Sequence, residues 1–290
     1  MDRILERYRA TRYSCLAVIF LAPCISILSA PSSKAQASET IRIGGTGSAL
    51  TTMKHIVDAY RRTRSDLVAN IVPNLGSGGG IKATAAGAID LGLSARPLKV
   101  EEQALAIMAR EVARTPLVIA TAAPKAPSHI SQSELIGMID GTRLTWPDGS
   151  RLRYILRPKT DAEHTLLSNL SPQVAAALDK AHASQSMNIA ATDQDTADTL
   201  ENIPGSIGTT TLALIMSEKR PLKILSLDGV LPSLESVRGD RYPLYKPLYL
   251  ITVSNPKPQV RAIIAFIEST EGAQLLTDNG YFAVKSTPSP

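Results

Sequence analysis

The sequence predicts an α/β protein of two lobes, and three observations carry that expectation. Two stretches repeat the order strand, glycine turn, helix: Ile41 to Tyr60 around Gly45-Thr46-Gly47-Ser48-Ala49, and Leu67 to Ala88 around Asn74-Leu75-Gly76-Ser77-Gly78-Gly79-Gly80-Ile81-Lys82. A third strand, Asp90 to Ser94, follows at once and ends on Ala95-Arg96-Pro97. Both cysteines, Cys15 and Cys24, fall in an N-terminal leader, so the remaining roughly 250 residues have no disulfide, thiolate nucleophile or thiolate metal ligand. A chain of that length is held by buried apolar cores and suits two α/β lobes better than a small stapled domain.

The leader reads as residues 1–37. Arg3, Arg7, Arg9 and Arg12 form a basic segment, Cys15 to Leu28 an apolar one too short and interrupted for a membrane span, and Ala35-Gln36-Ala37 an A-x-A cleavage signal. Export to the periplasm follows, with cleavage after Ala37. Leu21-Ala22-Pro23-Cys24 is a poor lipidation box, since proline precedes the cysteine and apolar residues follow it. The leader holds five of the 31 basic and two of the 26 acidic residues, which leaves the rest of the chain at a net charge of +2. There is no basic run and no aromatic-basic interleaving for nucleic acid. Aromatic residues are 4% of the chain, too few to favour a pocket that stacks sugars or bases.

In order along the chain, Ile41-Arg42-Ile43 alternates as a strand, and Leu50, Met53, Ile56, Val57 and Tyr60 keep helical spacing. Leu67 to Val72 is a second strand, Ile81 to Ala88 a small-residue helix, and Asp90 to Ser94 the third strand. Parallel strands of this kind present their carboxyl ends together, where open α/β sheets hold ligands. Ser48, Ser77, and Ser94 or Arg96 are therefore candidates for one cleft. The glycine turn at 76–80 lets the backbone approach a ligand closely, and the helix start offers it unpaired N–H groups and a positive dipole end.

Val100 to Arg110 reads as a helix and Val112 to Ala120 as a long apolar strand. Pro124 and Pro127 then break the pattern, which places the first crossing between lobes. Ser131 to Asp140 is a serine-capped helix, Trp146-Pro147-Asp148-Gly149 a turn with a packing tryptophan, and Leu152 to Leu156 a strand. Thr160 and Glu163 fit a capping box for a helix near His164, while Arg157 is a planar, permanently charged fork for an oxyanion. Val174 to Ala183 is helical, Met187 to Ala191 a short strand, and Asp193 to Asn202 an acidic helix with a solvated face. Pro204 to Thr210 is a turn and strand, Leu222 to Leu227 a strand, Leu248 to Val253 the return strand, and Val260 to Ser269 an amphipathic helix. Gly272 to Leu276 closes the helical part, and Ser286 to Pro290 is a frayed tail. The lobes are thus 38–122 with 246–290, and 123–245.

These marks together resemble the periplasmic phosphate-binding proteins of ABC transporters, in the type II periplasmic binding-protein fold. The resemblance runs from Ile41 to about Val284 and rests on Gly45-Thr46-Gly47-Ser48-Ala49, Gly76 to Lys82, Asp90 to Pro97, Leu135-Ile136-Gly137 through Trp146, and Pro204 to Gly208. It implies two lobes, each a mixed sheet flanked by helices, joined by two hinge crossovers that close on a small anion. The family's first-loop phosphate contacts fall on Ala49, which lacks the usual hydroxyl beside Ser48, and on the Leu50 backbone. Its second-loop serine matches Ser77, followed by Gly78 and Gly79, and its arginine matches Arg157. Its proton-accepting acid falls on Ala95, next to Arg96, and its Gly-Ser-Gly-Thr run reads Thr160-Asp161-Ala162-Glu163. Asp161 then either accepts the proton of an oxyanion, pairs with a cationic group of the ligand, or only caps its helix.

The function so implied is capture of phosphate or a similar oxyanion for an inner-membrane ABC permease, by a monomer with no metal or other cofactor. A ligand sensor docking on a membrane receptor is the alternative. Enzyme chemistry is not expected, because His55, His129, His164 and His182 show no metal spacing and no serine sits in a nucleophile elbow.

Overall fold

The computed structural model describes residues 40–64, 67–73, 75–184 and 188–284. The leader with its two cysteines, Asn74, Met187 and the tail from Lys285 lie outside the described residues.

The first three strands form as expected. β1 (Thr40–Gly45) buries Ile41 and Ile43 and pairs in parallel with β2 (Val68–Val72) and β3 (Leu91–Ser94). Between them, α1 (Gly47–Thr63) buries Leu50, Met53, Ile56, Val57 and Tyr60, and α2 (Gly76–Ala85) buries Gly80 and Ile81. The close seating of α2 on β1 needs glycine: a Cβ on Gly80 would lie 2.8 Å from the Gly45 Cα, and one on Gly45, at φ +146°, would collide with the Leu93 carbonyl.

The predicted helix over 100–110 is a correction. Only Val100–Glu102 turns, as a 3-10 segment, and β4 (Ile107–Thr121) starts five residues before the expected strand. Pairing outweighs local preference here, because Ile107 to Pro116 are matched antiparallel by β10 (Tyr245–Val253), itself longer than Leu248 to Val253. Glu102 is held by Arg96 and by the Lys99 N–H, a capping contact for the single 3-10 turn.

The chain continues through β5 (His129–Ile130), α3 (Gln132–Asp140), β6 (Arg153–Leu156), α4 (Ala162–Ser168), α5 (Pro172–Ala183) and β7 (Asn188–Ile189). Next come α6 (Asp193–Asn202), β8 (Ser206–Thr211), α7 (Leu212–Glu218), β9 (Lys223–Leu227) and α8 (Leu234–Arg238). After β10, α9 (Pro258–Ile267), α10 (Thr270–Asp278) and β11 (Phe282–Ala283) end the described chain. α7, α8, β5 and β11 are additions to the elements read from sequence. Trp146 is buried as expected, its indole N–H donating to the Gly205 carbonyl at 3.1 Å.

The strands run in the order β2-β1-β3-β10-β4-β8-β6-β7. β4 is the shared spine: its residues to Pro116 pair with β10, whereas Leu117 to Ala120 pair with β8. Its side chains divide likewise. Val112 and Ala113 join the core built on β1, β3, α1 and α9, and Leu117 and Ile119 join the one built on α3, α5 and β6. Two cores joined by β4 and β10 make two α/β halves, the fold class expected from the sequence.

Candidate functional site

The carboxyl ends of β1 and β3 and the start of α2 face the end of β6 and the starts of α4 and α6 across a cavity of about 130 Å³. Gly76, Ser77, Arg157, Asp161, Asp193 and Lys246 are among its lining residues. The first N–H groups of α2 have no acceptor within their own helix, and Gly76 enters it at φ +63°, a conformation suited to glycine. No side chain of its own caps α2. Ser77 is placed by the Ala95 N–H, which donates to its Oγ at 2.9 Å.

Arg157 comes off the end of β6 and is 6% exposed. Its Nη1 donates to the Ala190 carbonyl at 2.9 Å and its Nη2 to Asp161 Oδ2 at 2.6 Å. The buried Nε–H has no acceptor among the described residues. Burial works against this charge, but Asp193, Glu163 and Asp161 outweigh it and hold the pKa above the ordinary arginine value. Asp161 caps α4, accepting from the Glu163 N–H at 2.9 Å. The predicted Thr160–Glu163 capping box is therefore corrected by one residue, and the Glu163 carboxylate turns inward instead.

Asp193 and Lys246 on the cavity wall belong to an ion cluster that the sequence reading missed. Lys246, 2% exposed at the start of β10, has Nζ 2.9 Å from Asp193 Oδ1 and 3.0 Å from Glu163 Oε2, the latter without hydrogen-bond geometry. Glu163 also accepts from the Thr209 hydroxyl. Burial disfavours the Lys246 charge, yet Asp193 and Glu163 outweigh it and hold its pKa above that of an ordinary lysine. Burial pushes Glu163 up despite Lys246 and Arg157, whereas for Asp193 Lys246 and Arg157 overcome burial and keep the pKa low. Asp193 was expected on a solvated face; α6 instead points its first residue into the cluster. The signal available in the sequence was a lysine amid apolar strand residues, Leu244 to Leu250, which a strand begun at Leu248 leaves out.

The other expected site residues are distributed as follows. Ser77, Arg157 and Asp161 line the cavity together. Ser48 is buried beside it, its N–H donating to Asp193 Oδ2 at 3.1 Å and its hydroxyl against that of Thr46. Ala49 and Leu50 are buried in the core under α1. Ser94 donates its hydroxyl to the Arg96 carbonyl, and Arg96 is turned to Glu102 at 2.6 Å. Gly78 and Gly79 continue α2, with Gly78 toward the Arg96 guanidinium, and Thr160 precedes the α4 cap. Of the histidines, His55 contacts Asn279 at 2.7 Å, and His164 and His182 stand ring to ring at 5.2 Å, none of them lining the cavity.

Two cores on a shared spine with a polar cavity at the strand ends define the two-lobed α/β class of fold. Residues 30–271 match the sequence profile of the PBP superfamily domain, and the chain belongs to that superfamily. A 67-residue stretch is 34% identical to "Phosphate-binding protein PstS 2" of Streptococcus pneumoniae, covering 23% of each chain, so the match spans less than a quarter of that relative. Among solved structures, a candidate phosphate ABC transporter substrate-binding protein from Clostridium perfringens, with bound phosphate, superposes at TM-score 0.73. It is 19% identical and covers 85% of this chain and all of the other. An ABC-type phosphate transport receptor from Vibrio cholerae gives 0.60 at 16% identity over the same 85% of this chain and 100% of its own. These likenesses support the fold. Among the described residues no helix is long and apolar enough to cross a membrane.

Proposed function

We propose that this protein is an extracytoplasmic solute-binding protein that holds phosphate, or an oxyanion of similar size, and hands it to an inner-membrane ABC permease. The observation that carries the reading is the buried Arg157 guanidinium, with an unpartnered Nε–H, beside a cavity of about 130 Å³ onto which the uncapped N-terminus of α2 opens. Charge-assisted hydrogen bonds from arginine and N–H groups at a helix start together suit a compact oxyanion. The ligands named for the PstS 2 relative and the Clostridium structure support phosphate as the first candidate.

In this reading residues 38–122 and 246–290 form one lobe and 123–245 the other. β4 and β10, the strands that join the two cores, act as the hinge. Residues 1–37 direct export and are removed. The binding set is Ser77, the backbone of Gly78 and Gly79, Arg157 and Asp161, with binding rather than turnover as its work. A thermal-shift panel of phosphate, sulfate, acetate and a zwitterionic amino acid tests the ligand class, since a ligand that binds only the native state raises Tm. Stabilisation by phosphate above the other three is the expected result, and stabilisation by the zwitterion alone would replace the reading.

A further inference from the structure

α1 begins without a side-chain cap of its own, yet its N-terminus is not open. The Asp193 carboxylate, 145 residues further along the chain, accepts the Ser48 N–H at 3.1 Å, where a helix start would otherwise receive an anion from solution. The same carboxylate is the 2.9 Å partner of buried Lys246. Its neighbour Gln194 donates from Nε2 to the Gly47 carbonyl at 2.9 Å, and Glu218 on α7 accepts from Thr51 of α1 at 3.1 Å and from Gln194 at 3.2 Å. The start of α1 is thus tied to α6 and α7 by protein groups alone. Arg157 and Lys246 are already paired within the protein, Arg157 with Asp161 and Lys246 with Asp193 and the buried Glu163.

From these contacts we infer that Asp193 is a specificity-determining residue, an internal carboxylate that fills the anion position at α1, joins the two halves without a solute, and competes with any anion entering the cleft. The inference rests on the oxyanion reading of the cavity for its solute and on the Asp193 contacts for the rest. A solute is left the α2 and Arg157 side only. It enters beside a fixed negative charge, which disfavours dianions relative to monoanions.

The test uses the purified protein, wild type and with Asp193→Ala or the shape-preserving Asp193→Asn, stripped of bound anions by dialysis. Small-angle scattering without ligand is expected to give a larger radius of gyration for both variants than for wild type. Calorimetric titration with inorganic phosphate is expected to show Asp193→Asn binding about tenfold tighter than wild type, as a like charge a few ångströms away is removed. An unchanged radius of gyration in both variants overturns the inference, and so does weaker phosphate binding by Asp193→Asn. Expansion of both variants with no phosphate bound by any of the three proteins supports the joining role of Asp193 and removes phosphate as the solute.

Discussion

Lys246 Nζ lies 2.9 Å from Asp193 Oδ1 with both side chains nearly sealed from solvent, so an ion pair between residues 53 positions apart fastens β10 to α6. Glu163 completes the cluster from α4, at 3.0 Å from the same ammonium. Removing one partner from such a cluster leaves buried charge uncompensated. Lys246→Met is expected to destabilise the protein by about 3–5 kcal/mol, measured by urea unfolding. Adding Glu163→Gln and Asp193→Asn to it should recover a large part of that loss, because the desolvated charges go with the lysine.

Arg157 and Lys159 stand two residues apart and differ in every respect that matters for an anion. Arg157 lines the cavity, whereas Lys159 is exposed and paired with Asp179 at 3.0 Å. Arg157→Ala should weaken phosphate binding by about 100-fold, the loss of one or two charge-assisted hydrogen bonds. Lys159→Ala should change it by less than about twofold, as expected of an exposed pair. Titration calorimetry of the two variants side by side checks the contrast.

Gly80 sets how closely α2 approaches β1, and with it where the N-terminus of α2 sits. A methyl group there meets the Gly45 Cα at 2.8 Å and the carbonyls of Gly44 and Leu93 at 3.2 Å, all of them backbone atoms with little freedom to yield. Gly80→Ala is expected to cost about 1–3 kcal/mol through overpacking and to weaken anion binding as α2 shifts. Gly76→Ala meets no atom within 4 Å but keeps φ at +63°, so its cost is about 1–2 kcal/mol. Thermal unfolding of the two variants measures both.

The parts of the molecule that were legible in its sequence are those governed by local rules. Alternation at Ile41 and Ile43, the helical spacing from Leu50 to Tyr60 and the Ser131 cap each act over a few residues, whereas the glycines at 76–80, read as a turn before a helix at Ile81, are themselves the first residues of α2. What local rules missed is set by distant partners. β4 begins at Ile107 because β10 lies beside it, and no spacing within 100–110 reports that. Asp193 looked like one acid among several in a polar helix; its role depends on Lys246 and on the Ser48 N–H, both far along the chain. Arg96 was a fair candidate by position, but Glu102, six residues away, claims its guanidinium.

His164 and His182 form a second titratable pair, at the contact of α4 with α5. Burial lowers the pKa of both; at His164 Lys159 lowers it further, at His182 the neighbouring His164 and then Lys159 do so, and Asp179 partly offsets this at each. Their folded-state pKa values lie below the ordinary 6.5, so they favour folding fully above that pH. That contribution is lost as pH falls from about 6.5 through the lower folded values. Stability of the wild type should therefore decline across mildly acid pH, and His182→Gln should flatten the decline. Urea midpoints collected between about pH 7.5 and pH 5 read this out directly.

In the proposed function Arg157 and the start of α2 hold a single small oxyanion. Calorimetric titration of the purified protein with inorganic phosphate in phosphate-free buffer tests it most directly. Saturable binding at one site per chain, lost or much weakened in Arg157→Ala, is the expected result. Absence of heat and of any rise in Tm at millimolar phosphate, or equal binding by Arg157→Ala, would contradict it.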